Sequence, residues 1–303
     1  MTTAVVCMAY GGPRSLDEVE AYYTDIRGGR KPSPEALADL MSRYEKIGGL
    51  SPLPVITQRQ ADALGAALEA TDPGQYRTYV GMKHWHPFIA EAIDQVVADG
   101  ADRVIGLALA PHYSRMSIGG YEDRLKAAQE KTGAAFRLDM IPSWYENPFF
   151  VAYSAANLTA ALGDWDPADP GTRVFFSAHS LPERILAQGD PYRDQLLESS
   201  GMIAGAAGAP NWEFAFQSQS HTGEPWLGPD VLTSLEAFAG RGGNRVVVAP
   251  IGFVADHLEI LFDVDVECVE AAAKLGIELR RTASPNDDPR FIEVLASVVR
   301  SRV

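Results

Sequence analysis

The feature that most constrains the fold is a repeated alternation of short apolar runs with longer segments of helical periodicity. Four strand-like runs lie at residues 4–9, 78–82, 103–110 and 136–141, and four more lie at 173–176, 213–217, 245–251 and 277–281. Alternating strands and helices form parallel sheets covered by helices on both faces. The sequence therefore predicts an α/β protein made of two similar halves, each with a four-stranded parallel sheet flanked by helices.

The two halves are expected to meet near residues 142–148, where no low-complexity linker occurs. We predict an N-terminal domain at residues 1–145 and a C-terminal domain at 146–303, with the last helix, from about Pro289, free to pack on the first domain. Helix starts are indicated by a capping-box pattern at Ser15 and Glu18, and by a proline at the first helical position in Ser33-Pro34 and Asn147-Pro148.

Composition excludes several classes of function. The 303 residues carry a formal net charge of −14, which would repel a nucleic-acid backbone. The longest apolar runs are far shorter than the roughly 20 residues that span a bilayer, and no basic leader precedes the first strand. Cys7 and Cys268 are the only cysteines, too few for a disulfide framework or a four-thiolate iron–sulfur cluster. We expect a cytoplasmic protein without nucleic-acid or integral membrane association.

Ligands of open parallel sheets bind beyond the carboxyl ends of the strands, so the residues that follow each strand are candidates for chemistry. The candidate segments are residues 10–13, 111–114, 177–180, 217–221 and 252–253. Within them, His179 ends a strand and could act as a base or metal ligand, although a lone histidine is as often a hydrogen-bonded core residue. Tyr10 stands beside two glycines that let a flat ligand approach, but it could also pack over a turn.

An acidic helix is predicted after the strand at residues 245–251. At ~100° per residue, its acids fall within an arc of about 80°, opposite an apolar stripe. The acids are Glu259, Asp263, Glu267 and Glu270, and the stripe is Leu261, Val264, Cys268, Ala272 and Leu275. Such a row attracts cations or protons, but a solvated acidic face remains open, as does a capping box formed by Asp256 and Glu259.

A local basic excess contrasts with the acidic whole. Residues 27–46 carry five cationic side chains against three acids. Arginine grips carboxylates with two parallel hydrogen bonds, so this segment suits a ligand with several carboxyl groups, although a solvated helix surface would give the same pattern.

Together these motifs resemble the ferrochelatase family, and more narrowly its bacterial members that insert ferrous iron into coproporphyrin III. The resemblance covers nearly the whole chain, in order. The matching segments are Met8-Ala9-Tyr10-Gly11-Gly12-Pro13, residues 22–27, Arg43-Tyr44, residues 47–53, residues 109–114, Ser177-Ala178-His179-Ser180-Leu181-Pro182, Gln217-Ser218, residues 226–229 and Gly252-Phe253-Val254-Ala255-Asp256-His257-Leu258-Glu259. Gly12 stands where the family often has threonine.

The resemblance implies two Rossmann-like, chelatase-type domains with a porphyrin cleft between them, and a lyase that releases two protons to form Fe-coproporphyrin III (coprohaem) in haem biosynthesis. It implies that His179 and Glu259 are catalytic and metal-binding, with Asp263 and Glu267 as accessory metal ligands. It implies that Tyr10 ligates the product iron. The resemblance also implies that the substrate-binding residues are Tyr10, Arg27, Arg43, Tyr44, Ser51 and Tyr121.

The resemblance further implies that Fe2+ is a substrate and that no tightly bound cofactor or iron–sulfur cluster is present. The expected partners are coproporphyrin III, ferrous iron and a transient iron donor or the next enzyme of the haem pathway, and the expected state is a monomer. The absence of a C-terminal extension favours the coproporphyrin type. Alternatives are a protoporphyrin IX ferrochelatase, a different tetrapyrrole chelatase and a non-catalytic porphyrin or haem carrier.

Overall fold

The chain folds into two compact units, seen in a computed structural model that describes residues 2–219 and 223–302. The first unit comprises Met1–Trp144, Ala255–Leu258 and Pro285–Val303, and the second comprises Tyr145–Val254 and Glu259–Ser284. Ser220 and His221, which belong to one of the strand-end segments named above, lie outside the described residues. The domain limits 1–145 and 146–303 remain predictions.

The first unit contains a four-stranded parallel sheet in the order β2-β1-β3-β4. Its strands are β1 Thr3–Ala9, β2 Tyr76–Met82, β3 Arg103–Ala108 and β4 Arg137–Ile141. Thr3 of β1 is in register with Tyr76 of β2 on one side and with Arg103 of β3 on the other. All four strands were predicted from apolar runs, with differences of one or two residues at most ends.

The second unit repeats this plan, with a parallel sheet in the order β6-β5-β7-β8. Its strands are β5 Thr172–His179, β6 Trp212–Gln217, β7 Arg245–Ala249 and β8 Glu278–Arg281. In each sheet the first strand in the chain lies between two others. Because it pairs in parallel with both, all three strands have their carboxyl ends at the same edge of the sheet. The predicted fold class, two four-stranded parallel sheets flanked by helices, is confirmed.

Helices cover the sheets. They are α1 Val19–Ile26, α2 Pro34–Lys46, α3 Leu53–Thr71, α4 Ile89–Ala98, α5 Ile118–Thr132, α6 Pro148–Leu162, α7 Arg184–Ala187, α8 Tyr192–Ala207, α9 Val231–Gly240, a π-helix at Ile260–Cys268, α10 Val269–Leu275 and α11 Pro289–Arg300. Within residues 2–219 and 223–302, none of the helices is both long and hydrophobic enough to cross a bilayer.

The cores follow from strand alternation, because successive side chains point to opposite faces of a sheet. In the first unit, Met8 of β1 packs in one cluster with Ile93 of α4 and Leu125 of α5. In the second unit, Phe175 of β5 packs in one cluster with Val264 of the π-helix and Leu235 of α9. Helix α11 packs on α3 in the first unit, and its Phe291 is fully buried.

Two of the predicted helix starts are confirmed, and one is wrong. Ser33 caps α2 by accepting from the backbone N–H of Ala36, and Asn147 caps α6. Ser15 forms no side-chain cap, and a short 3₁₀ helix follows it. The carboxylate of Glu18 instead accepts from Arg14 and from the indole N–H of Trp85, so charged and tertiary partners replace the local capping box.

Candidate active site

His179 is the last residue of β5, so its imidazole lies at the carboxyl edge of the second sheet. Phe175, Ser177 and His179 alternate onto one face of the strand, the face on which Phe175 meets the π-helix. The imidazole Nδ1 hydrogen-bonds the carbonyl oxygen of Ser180. The hydroxyl of Tyr192 donates to the carbonyl oxygen of His179 at 3.0 Å. Strand pairing and these bonds fix the direction in which Nε2 points.

Two of the four predicted acids, Asp263 and Glu267, lie on a π-helix rather than an α-helix, whereas Glu259 directly precedes it and Glu270 lies on α10. The hydrogen bonds of a π-helix run from i to i+5, so each residue turns by roughly 80° instead of 100°. The acidic residues 259, 263 and 267 are spaced four apart, and so are the buried residues 260, 264 and 268. Because the turn per residue is smaller, both rows shift around the helix by the same angle at each step. The predicted arc of about 80° was therefore wrong in detail, because it assumed α-helical periodicity.

The solvated-face interpretation fails for the middle of the row. Asp263 is only 8% exposed, and Glu267 is partly buried, whereas Glu270 lies on α10 and is exposed. The capping box formed by Asp256 and Glu259 stays a prediction. Asp256 also bonds the side chain of Asn286: its backbone N–H donates to Oδ1, and its carboxylate accepts from Nδ2.

His179 and Glu259 form a close pair within the second unit. Nε2 of His179 lies 3.4 Å from Oε1 of Glu259, and the two side chains are 31% and 36% exposed. Burial alone would lower the pKa of His179. The carboxylate of Glu259 outweighs it through charge and hydrogen bonding, and the Ser180 carbonyl and Asp263 add to this effect, which raises the pKa to about 9. The metal-free pair therefore holds a proton at neutral pH.

Asp263 is oriented from the end of β6. The hydroxyl of Ser218 donates to Oδ2 of Asp263. Ser218 has a φ of +60°, a left-handed conformation that non-glycine residues seldom adopt. That conformation turns the chain just after Gln217, the last residue of β6. In this conformation the Ser218 hydroxyl contacts the buried carboxylate of Asp263, the next acid of the row after Glu259.

Gly252 allows the chain after β7 to pass against β5 beside His179. A Cβ atom built there would lie 2.5 Å from Cβ of Ala178, closer than real carbon atoms approach. We expect Gly252→Ala to destabilise the fold by about 1–3 kcal/mol through overpacking, and to reduce turnover by displacing the end of β5. Chemical denaturation would measure the first effect. Gly205→Ala, where the new methyl group meets nothing within 4 Å, should not destabilise; equal stability of the two variants would contradict the steric argument.

In the first unit, Tyr10 follows β1 and is 42% exposed. Its ring lies 4.6 Å from the imidazole of His84, centroid to centroid, at an interplanar angle of 51°. Gly11 beside it has a φ of +99°, and its carbonyl oxygen accepts from the hydroxyl of Tyr22 at 3.0 Å. The glycine conformation and the anchored carbonyl hold the loop so that the phenol of Tyr10 is presented outward.

The other predicted substrate-binding residues also lie in the first unit, in differing environments. Arg27 is exposed, with its guanidinium carbon 5.7 Å from the ring centre of Tyr23. Arg43 pairs with Asp39 on α2 at 3.0 Å, so the guanidinium already has one carboxylate partner. Tyr44 is buried.

Ser51 and Tyr121 are both mostly buried. The hydroxyl of Ser51 accepts from the backbone N–H of Leu53 at the start of α3, at 3.3 Å. The ammonium of Lys83 lies 5.4 Å from the ring centre of Tyr121. Burial, together with the nearby charge of Arg124, lowers the pKa of Lys83 to about 8. Lys83 has no role in the sequence reasoning, although its position directly after β2 could have marked it.

Comparison with solved structures defines the class of fold. The sirohydrochlorin chelatase SirB from Bacillus subtilis subspecies spizizenii aligns over 99% of this chain and 95% of its own, with a TM-score of 0.60 and 11% sequence identity. CbiX, the terminal enzyme of sirohaem biosynthesis in denitrifying bacteria, aligns over 100% of both chains with a TM-score of 0.56 and 14% identity. The chain therefore has a chelatase-type fold.

Sequence comparison gives the family. The ferrochelatase profile matches residues 2–303. A ferrochelatase from Herpetosiphon aurantiacus is 50% identical over 98% of both chains. Proteins named coproporphyrin III ferrochelatase are 43% identical in Halalkalibacterium halodurans and 44% identical in Geobacillus kaustophilus, each over 99% of this chain and 96% of the relative. The chain belongs to the ferrochelatase family, and it is an iron chelatase of the lyase class.

Proposed function

We propose that this enzyme inserts ferrous iron into coproporphyrin III and releases two protons, forming Fe-coproporphyrin III in haem biosynthesis. The observation that carries the proposal is the His179–Glu259 pair, 3.4 Å apart at the carboxyl edge of the second sheet, in a chain of the ferrochelatase family. Relatives named for coproporphyrin III, 41–44% identical to this chain, support that porphyrin as the substrate.

The chemistry requires groups that hold iron and groups that remove protons. Insertion replaces two pyrrole protons with one divalent ion, so the porphyrin loses as much positive charge as it gains. Neutral imidazole is a good ligand for Fe2+ and a base near neutral pH, and a carboxylate neutralises the arriving charge. We assign both roles to His179 and Glu259 jointly: the proton held by the pair must leave when iron binds, and the pair becomes a base for a pyrrole proton only once the iron has passed to the porphyrin.

We assign Tyr10 as a ligand of the product iron, because a phenol oxygen is exposed at the end of β1. Arg27, Arg43, Tyr44, Ser51 and Tyr121 are assigned to the porphyrin and its four propionates. Two arginines in this group suit carboxylates, and Arg43 already binds one carboxylate, that of Asp39. Exchange of Asp39 for a propionate would preserve the charge pairing.

The acidic row is proposed as the path that delivers iron, with Asp263 and Glu267 as accessory ligands. We expect Asp263→Ala and Glu267→Ala to raise the KM for Fe2+ by roughly 10-fold while leaving the KM for porphyrin within 2-fold, because the loss of a group that supports a metal site typically costs 10–100-fold in metal affinity. Steady-state kinetics with each substrate varied in turn would measure this. Unchanged iron kinetics in both variants would remove the delivery role.

Fe2+ is proposed to be a substrate, with no resident cofactor and no iron–sulfur cluster. Cys7 and Cys268 are both buried, and burial, with Asp62, raises the pKa of the Cys7 thiol to about 12. A protonated buried thiol is a poor metal ligand. We further propose a monomer that acts in the cytoplasm, receives iron from a transient donor and passes its product to the next haem-pathway enzyme.

The direct test is anaerobic insertion of Fe2+ by the purified protein into coproporphyrin III and, separately, protoporphyrin IX, with identification of each product by absorbance and mass. We expect rapid turnover of coproporphyrin III. Preference for protoporphyrin IX would assign the enzyme to the other haem branch, and insertion into sirohydrochlorin alone would assign it to another chelatase type. Stoichiometric binding without turnover would indicate a carrier.

A further inference from the structure

A buried amide lies beside the His179–Glu259 pair. Gln217 is the last residue of β6, is 3% exposed, and is in register with His179 of β5. Ala215, two residues earlier, packs on the same face of the sheet as Phe175 and the π-helix. The side chain of Gln217 is therefore on the face of the sheet that carries Ser177 and His179.

Both ends of this amide are used. Oε1 of Gln217 accepts from the hydroxyl of Ser177 at 2.9 Å, and Nε2 donates to the backbone carbonyl oxygen of Glu259 at 3.2 Å. Its own carbonyl oxygen accepts from the N–H of Ser180 at 2.8 Å. One side chain thus joins the strand that carries His179 to the residue at which the π-helix starts.

Buried polar groups are costly unless they are hydrogen-bonded, and a network is rigid when every member is satisfied. Removal of the amide would leave the hydroxyl of Ser177 without this acceptor, and the Glu259 carbonyl without this donor. The first residue of the acidic row would then be free to move relative to His179. The neighbouring bond from Ser218 joins the side chain of Asp263, the next acid of the row.

We propose that Gln217 is a positioning residue that sets the separation between His179 and Glu259, by tying the Glu259 backbone to β5 through Ser177. The inference rests on the proposed function, because the separation matters only where the two side chains share a metal. Gln217 itself does not contact iron or porphyrin. Its effect is transmitted through the Glu259 main chain, so the residue should influence metal affinity and turnover more than porphyrin binding.

The test uses the full-length protein without porphyrin, titrated with Co2+ and followed by the absorbance of bound cobalt. The signal that disappears in His179→Ala defines the site. We expect Gln217→Met to weaken Co2+ binding at that site by about 10-fold or more, the range typical of groups that orient metal ligands. The matched control is Gln129→Met on α5, which loses a comparable amide bond to the carbonyl of Phe136 and should bind Co2+ as the wild type does.

A second variant separates positioning from general stability. Replacing both partners of a buried hydrogen bond with apolar groups can be nearly neutral for stability, whereas removing one partner leaves the other unsatisfied. Ser177→Ala combined with Gln217→Met should therefore recover much of the melting temperature lost in Gln217→Met, but not the Co2+ affinity. Recovery of the melting temperature and the Co2+ affinity together would show that Gln217 has a structural role only, and would overturn the proposal.

Kinetics distinguish this inference from the proposed function. In iron insertion, Gln217→Met should lower kcat or raise the KM for Fe2+ by about 10-fold, with the KM for coproporphyrin III within 2-fold of wild type. Wild-type Co2+ affinity in Gln217→Met would overturn the positioning role even if the wild-type enzyme inserts iron. Conversely, a wild type that inserts no iron, together with weakened Co2+ binding in the variant, would overturn the function and sustain the positioning role.

Discussion

Replacing His179 with alanine is expected to reduce kcat for iron insertion by roughly 10³-fold, because general acid–base groups typically contribute 10²–10⁴-fold and this residue also offers a metal ligand. The imidazole lies close to Glu259, with Nε2 3.4 Å from Oε1. The backbone of β5 and its hydrogen bond from Tyr192 do not depend on the ring, so the variant should fold.

Porphyrin binding should survive in His179→Ala, since the residues assigned to the macrocycle lie in the first unit and His179 lies in the second. Quenching of porphyrin fluorescence would measure binding, and product absorbance would measure turnover. His86→Ala is a suitable control, because that exposed imidazole pairs with Glu91 and is assigned no part in the reaction. Turnover in His179→Ala at the level of this control would refute the catalytic role.

The second large effect is expected from Glu259→Gln, which keeps the shape of the side chain and removes its charge. Burial lowers the pKa of His179, and the charge of Glu259 is the largest of the effects that raise it to about 9. Without that charge the pKa should fall toward or below its ordinary value of ~6.5. Turnover should fall by roughly 10²-fold, because a carboxamide neither neutralises the iron nor accepts a proton well.

Nuclear magnetic resonance of ¹⁵N-histidine in the metal-free protein would follow this pKa. Because the folded-state pKa of His179 is raised, the pair stabilises the fold most below pH ~6.5, and that contribution is lost as the pH rises through about 9. Glu259→Gln should flatten this part of the stability profile. Glu270→Gln, a loss of the same charge at an exposed position of α10, should change neither the pKa of His179 nor the pH dependence of stability. A His179 pKa that stays near 9 in Glu259→Gln would exclude Glu259 as the cause.

The sequence was most informative where one periodicity persisted over several residues. Apolar runs located the eight strands found within residues 2–219 and 223–302. The signal was clearest for β1, which is buried along nearly its whole length and consists almost entirely of apolar residues. The sequence also selected His179, because the end of a parallel strand is where ligands bind. Local signals were less reliable at Ser15, where tertiary partners of Glu18 replaced the expected capping box.

The sequence by itself determined the fold class, the order of the strands along the chain and the short list of strand-end residues, because apolar periodicity and strand direction are local properties. Only the tertiary structure decided that the acidic helix is a π-helix, that Asp263 is buried against Ser218, and that Gln217 joins Ser177 to Glu259. The last two features depend on hydrogen bonds between segments about 40 residues apart, which sequence spacing does not encode.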